Sequence, residues 1–239
     1  MCGRFALTAP ASDIAEIFQV DVLPEVLPRY NIAPTTQVAC VVEDEAGDRK
    51  VEMFRWGLIP SWSKDKKIGN RTFNARGETA ASKPSFRAAF KRRRLLVLAD
   101  GFYEWQRIGK GKNAQKIPHL IQLAEGRPFG MAGLYETWTD PETNEEVRSC
   151  TIVTTEGNDL MKPIHDRMPV ILPEDRWDLW LDAKMQEKEV LQELLVPYPA
   201  DQMQERPVSS SVGNVRNKGP EVQEPYEGEL PEAEAEAEE

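Results

Sequence analysis

Five apolar segments follow one another between residues 95 and 155, at 95–99, 102–108, 117–123, 129–138 and 147–155. Each reads as a strand, and the gaps between them carry turn formers such as Asp100-Gly101 and the 139–146 stretch TDPETNEE, a hairpin connection. Segments 37–43 and 51–57 add two more strands around the turn-rich residues 44–48. Helical patterns are short. Asp13 and Glu16 make a capping-box-like start before Ile14, Ile17 and Phe18. Residues 76–82, 84–93 with Pro84 in the first turn, 174–181 and 186–195 complete the set. Strands mixed with short helices, without regular strand–helix alternation, predict an α+β fold rather than a doubly wound sheet.

The 239 residues suffice for one sizeable domain, and 40% hydrophobic with 29% charged residues is ordinary for a globular chain. No run of 18 apolar residues occurs, so no membrane helix is expected. The first residues lack a basic region followed by an apolar stretch, which places the chain by default in the cytoplasm. Nine of the ten net negative charges belong to the nine glutamates of residues 219–239. That segment, rich in Pro, Gly and Ala-Glu alternation, is expected to be a disordered acidic tail behind a single domain at 1–218. The body is then close to neutral, and local basic patches can bind anions. Cys2, Cys40 and Cys150 are widely spaced, with no Cys-x-x-Cys pair and no Cys/His cluster. Neither a metal site nor a cofactor is expected, and the thiols should stay reduced.

The chain begins Met1-Cys2-Gly3-Arg4-Phe5. Loss of Met1 would leave an α-amine and a thiol on Cys2. A 1,2-aminothiol condenses with an aldehyde to an imine, and the thiol then closes a thiazolidine ring. An internal cysteine cannot do this, because its nitrogen is an amide. Such a nucleophile needs a proton donor, a base and an orienting polar group. Glu104, His165 and Asn74, each inside a dense polar segment, are candidates. The plainer alternatives are an exposed strand glutamate, a structural histidine and a turn former. His119 alternates in phase with Ile117, Ile121 and Leu123, so it reads as structural. Lys83, Arg87 and Lys91–Arg94 crowd one short helix, and Lys64, Lys66 and Lys67 follow Trp62. Such cations can meet phosphates while Trp62 and Trp105 stack on bases, or they can form a solvated surface.

Together, MCGRF at 1–5, RYNIAPT at 29–35, WGLIPSW at 56–62, FNARGET at 73–79, DGFYEW at 100–105, HDRMPVIL at 165–172 and PVSSSVGNVRNKG at 207–219 resemble the SRAP (SOS response-associated peptidase) family. The resemblance implies a single α+β domain with an antiparallel, barrel-like sheet and peripheral helices. It implies binding, as a monomer, to single-stranded DNA at abasic sites, and capture of the ring-opened sugar as a thiazolidine. It also implies self-removal of Met1 and, on DNA, association with the nucleoid. Carried over by motif, Cys2 is the nucleophile, Asn74 positions it, Glu104 is the acid/base, and His165 assists sugar opening and reversal. Arg76 and Arg167 become phosphate clamps, and Trp62 and Trp105 become surfaces for neighbouring bases. Arg4, Asn31 and Pro34 line the same groove. Ser209-Ser210-Ser211 carries no basic residue where similar proteins can have one. Two other readings stay open: a glutaminase with an N-terminal cysteine, and a non-covalent reader of single-stranded or modified DNA. A general peptidase lacks its motifs here.

Overall fold

The computed structural model describes residues 2–21, 26–44, 46–109, 111 and 114–228. In chain order the elements are β1 (Phe5–Leu7), α1 (Ala11–Phe18), β2 (Arg29–Ile32), β3 (Gln37–Glu43), β4 (Arg49–Trp56), β5 (Asn74–Arg76), α2 (Gly77–Ala80) and α3 (Arg87–Arg92). There follow β6 (Arg94–Ala99), β7 (Gly101–Ile108), β8 (Gln115–Leu123), β9 (Phe129–Thr139), β10 (Glu146–Glu156), β11 (Arg167–Pro169), β12 (Ile171–Leu172), α4 (Trp177–Leu181), α5 (Lys188–Glu193) and β13 (Met203–Pro207). No helix among these is long and apolar enough to cross a membrane.

Five strands close on themselves in the order β3, β4, β10, β9, β6, forming the expected barrel. Closure removes the edges that continuous apolar strands such as β6 would otherwise expose. The pairing is antiparallel except where β10 runs parallel to β4 and then to β5. A second antiparallel sheet, β13-β8-β7-β1-β2, lies beyond the barrel. The chain passes between the two sheets at Asp100. A Cβ on Gly101 would stand 2.7 Å from Leu120 Cδ1 and 3.1 Å from Gln122 Cγ, so a larger residue there would have to push these side chains aside. Asp100 itself ties down the turn after β1. Its Oδ2 accepts from the Thr8 and Ala9 main-chain N–H groups and from the Thr8 hydroxyl.

The two faces of the second sheet bury different clusters. Phe5, Phe102 and Ile121 join the main core, while Ala6, Tyr103 and Leu120 pack with Val208, Val212 and Val222. Val222 is fully buried, and this corrects the domain boundary at 218. Gln223 Nε2 donates to Tyr103 Oη at 3.0 Å, and Gln115 Nε2 donates to Tyr226 Oη at 2.8 Å. Val208 also bridges to Pro225. The folded unit therefore runs through the described residues to 228, and the rest of the acidic tail, 229–239, lies outside them. A chain ending at 218 should lose about 2–4 kcal/mol against one ending at 228, because it strips the cover from an apolar cluster. Equal melting temperatures for the two chains would show that the segment contributes nothing.

Local corrections have simple causes. Helix α1 starts at Ala11 behind Pro10, with no side-chain cap, so Asp13 lies in the first turn instead of forming a box with Glu16. Helix α3 starts at Arg87, after a turn in which the Lys83 carbonyl takes the N–H groups of Phe86 and Arg87, so Pro84 precedes the helix. The basic run beyond it is divided. Arg93 pairs with Glu136 at 2.7 Å. Arg94 is buried, donating to the carbonyls of Phe90, Lys91, Trp180, Asp182 and Met185. It thereby satisfies carbonyl groups at the ends of α3 and α4.

Candidate active site

Cys2 is fully buried just before β1. Phe5 lies opposite Phe102, and the Tyr103 N–H donates to the Arg4 carbonyl at 2.9 Å, so the amino-terminal end of β1 runs beside Glu104. The Cys2 thiol has the Arg4 carbonyl as a weak acceptor at 4.0 Å. Burial pushes that thiol far up, and the Glu104 charge adds to the effect. Glu104 is only 3% exposed. Burial raises its carboxyl to about 7, against the pull of the positively charged amino terminus and with help from Asp166. His165 is held below its ordinary value by burial and by the same amino terminus, while Asp166 opposes the shift. One positive charge thus acts on Cys2, Glu104 and His165 alike.

Glu104 and His165 line one open groove with Trp105, Arg107, Lys116 and Gly213. The Arg167 main-chain N–H donates to His165 Nδ1 at 3.0 Å, so the neutral ring carries its proton on Nε2. Asp166 Oδ1 stands 2.9 Å from the same Nδ1, forming an ion pair when the ring is charged.

Strand β10 gathers the remaining pieces. On one side Asn74 and Arg76 pair with Ile152 and Thr154, and on the other Arg167 pairs with Glu156. Asn74 Nδ2 and Trp56 Nε1 both donate to the Phe73 carbonyl, at 3.0 and 2.8 Å. Trp56 in turn meets Phe5 edge-on, with ring centroids 5.1 Å apart, which links this segment to β1. Asn74 Oδ1 is buried without a hydrogen-bond partner among the described residues. A buried acceptor left unmade is costly, and such a group is placed to receive a donor from a ligand or from the amino terminus.

Several of the residues expected at the DNA groove also hold the fold together. Asn31 is buried. Its Oδ1 accepts from Arg4 Nη1 at 2.7 Å, and its amide faces the carbonyls of Val212, Asn214 and Asn217. Arg4 also donates to the Val212 carbonyl at 2.6 Å and lies 5.9 Å above the Trp105 ring. Asn31 therefore fastens the 210–217 segment to β1 and β2. Arg167, expected to clamp phosphate, is gripped by Glu78 at 2.5 and 3.1 Å and donates to the Thr154 carbonyl at 2.7 Å. Both terminal nitrogens are thus engaged within the fold. Glu78 was not singled out in the sequence, although it follows Arg76 by two positions in the same motif. Arg167 holds its carboxyl below the usual range. Arg76 is exposed, Trp62 is 59% exposed and Trp105 is half-buried. Pro34 is half-buried in a turn whose next residue, Thr35, adopts φ 75° and donates to the Trp56 carbonyl at 2.7 Å. Positive φ is unusual for a β-branched residue, and that hydrogen bond secures it.

A family model described as SOS response associated peptidase (SRAP) matches residues 1–215. The chain is 45% identical to abasic site processing protein YoqW of Bacillus subtilis, over 93% of this chain and 98% of that one. It is 34% identical to abasic site processing protein YedK of Escherichia coli, over 94% and 100%. Among solved structures, a protein from Bacteroides thetaiotaomicron superposes with a TM-score of 0.81 at 28% identity, over 93% of this chain and 99% of that one. The barrel with its second sheet, the amino-terminal cysteine buried beside a glutamate, and these matches along nearly the whole chain agree: the chain belongs to the SRAP family.

Proposed function

We propose that this protein processes abasic sites in single-stranded DNA by capturing the sugar aldehyde on Cys2 after Met1 is removed. The observation that carries the reading is the placement of Cys2 at the end of β1 beside Glu104, a buried carboxyl near half-protonation at neutral pH that shares a groove with His165. The names of the relatives point to the same lesion.

Burial pushes the thiol up, which favours the α-amine as the first nucleophile. It adds to the aldehyde carbon, and the resulting carbinolamine loses its hydroxyl as water once Glu104 supplies a proton. The Cys2 sulfur then bonds to the iminium carbon, and the thiol proton returns to the Glu104 carboxylate. The product is a thiazolidine, one water lighter than protein plus DNA. His165, with its proton on Nε2, is the group for opening the cyclic hemiacetal, and Asn74 Oδ1 accepts from the amine. Glu104 is also the group suited to the proton transfers of Met1 removal. Exposed Trp62 offers a stacking face, with Lys64, Lys66 and Lys67 exposed beside it for phosphates.

Intact mass after mixing with single-stranded DNA bearing one abasic site tests the reading. A denaturant-stable adduct one water lighter than the sum supports it, and a Met1-free protein that gives no adduct overturns it. Arg76→Ala should weaken binding across sequences and reduce the salt slope by about 1, since one phosphate contact is lost. An unchanged slope in a fluorescence-anisotropy titration would remove Arg76 from the interface.

A further inference from the structure

His119 has the burial of a structural residue and the position of a functional one. It lies directly opposite Glu104 in the β7–β8 pair. Residues opposite each other in an antiparallel pair share a face, with Cβ atoms about 4.5–5.5 Å apart. His119 Nδ1 is 2.5 Å from Glu205 Oε2. Glu205 lies on the neighbouring strand β13, opposite Ile121, two residues along the same face. A carboxylate can only accept, so Nδ1 carries the proton of the neutral ring and Nε2 carries a lone pair. That Nε2 is buried and has no hydrogen-bond partner among the described residues. Exposure rises along the row: Glu104 is 3% exposed, and the His119 and Glu205 side chains are 8% and 32% exposed. Glu104 on β7 and Glu205 on β13 are the charged groups facing His119 across its own sheet, and its same-face neighbours on β8 are Ile117 and Ile121.

We propose that His119 and Glu205 relay protons between Glu104 and solvent. When Glu104 must lose a proton, one intervening water carries it to Nε2, Nδ1 passes its own proton to Glu205, and Glu205 releases one to solvent. The reverse flow returns a proton to Glu104 and restores the starting tautomer. The imidazole stays neutral overall, and each proton taken up at one end leaves at the other. The relay rests on the proposed function, because it serves the acid–base cycle assigned there to Glu104. His119 acts through Glu104 and touches no substrate.

Two measurements test it. In the free protein, imidazole nitrogen shifts in nuclear magnetic resonance should place the His119 proton on Nδ1 with Nε2 bare, and a proton resting on Nε2 would overturn the relay. This reading uses no DNA, so it decides the relay even if the chain captures no aldehyde, an outcome that would sink the proposed function instead. In capture kinetics, His119→Ala should slow adduct formation about tenfold, a part of the ~10²–10⁴ that a placed acid–base group supplies. Added imidazole should restore the rate, and Glu205→Gln should reproduce the slowing without weakening DNA binding. His119→Phe fills the same space on the strand and guards against a folding defect. Parental rates for His119→Phe, or a His119→Ala loss that imidazole does not rescue and Glu205→Gln does not share, would overturn the proposal.

Discussion

Cys2→Ala is expected to abolish the denaturant-stable adduct with abasic single-stranded DNA while leaving DNA binding in place. The variant keeps an α-amine at the same position once Met1 is gone, so the first step survives. The imine it forms has no thiol to close on it, and hydrolysis returns the aldehyde. Borohydride should therefore trap an adduct from Cys2→Ala that heat and denaturant otherwise destroy. This separates the two functions of the residue, nitrogen for capture and sulfur for permanence. It also bears on the order of events. Burial and the Glu104 charge hold the thiol in its protonated form, so attack by sulfur before imine formation would have to start from a neutral thiol. A stable adduct from Cys2→Ala, seen by intact mass, would assign the chemistry to another nucleophile. A non-covalent reader would give no adduct from the parent chain, with or without borohydride.

Long apolar strands were legible in the sequence because their signal is local. Segment 37–43 coincides with β3, and the five segments from 95 to 155 fall within two residues of β6 through β10. β1, β2, β5, β11, β12 and β13 carried no such signal. They span two to five residues each, too few for alternation to register, and all but β2 pair with a longer strand that offers them hydrogen bonds. Those short strands carry much of the candidate site: Asn74 and Arg76 are on β5, Arg167 is on β11, and Cys2 is just ahead of β1. Their residue types could be read from the chain, but their neighbours could not, since β5 and β11 meet only through β10. The same limit explains the corrections. Arg94 looks like a surface cation until the carbonyls that hold it are in place. Val222 is one apolar residue among glutamates, and its burial depends on a cluster contributed by β1, β7, β8 and the 208–212 segment. His119 was legible as a buried strand residue, whereas its alignment with Glu104 is a matter of register, which no single strand contains.

Glu104→Gln should slow adduct formation by about 10²–10⁴ at neutral pH, the range for removing a placed acid–base group, with DNA binding unchanged. The pH profile identifies the step. Capture needs a neutral amine, whose ordinary value is about 7.7–8.0, so the rate rises with pH toward that range. Expulsion of water needs a protonated Glu104, which burial sets at about 7, so the same rate falls above neutrality. The parent should show a bell, and the glutamine variant should lose the alkaline limb. Stability reports on the same carboxyl independently. Its folded value lies above the value of 4.5 for an unhindered glutamate, so between pH 4.5 and about 7 the folded chain holds a proton that the unfolded chain has released. Stability from this group is therefore full below that window and declines as pH rises through it. Glu104→Gln removes the dependence, and its melting temperature should gain on the parent's as pH rises from 5 to 8. The two readouts part company if the role is only structural, because the melting difference would then persist while capture kept its parental rate and bell. That outcome would leave His165 to carry the proton transfers. If the stability difference vanished as well, the buried carboxyl would not be titrating near neutrality at all.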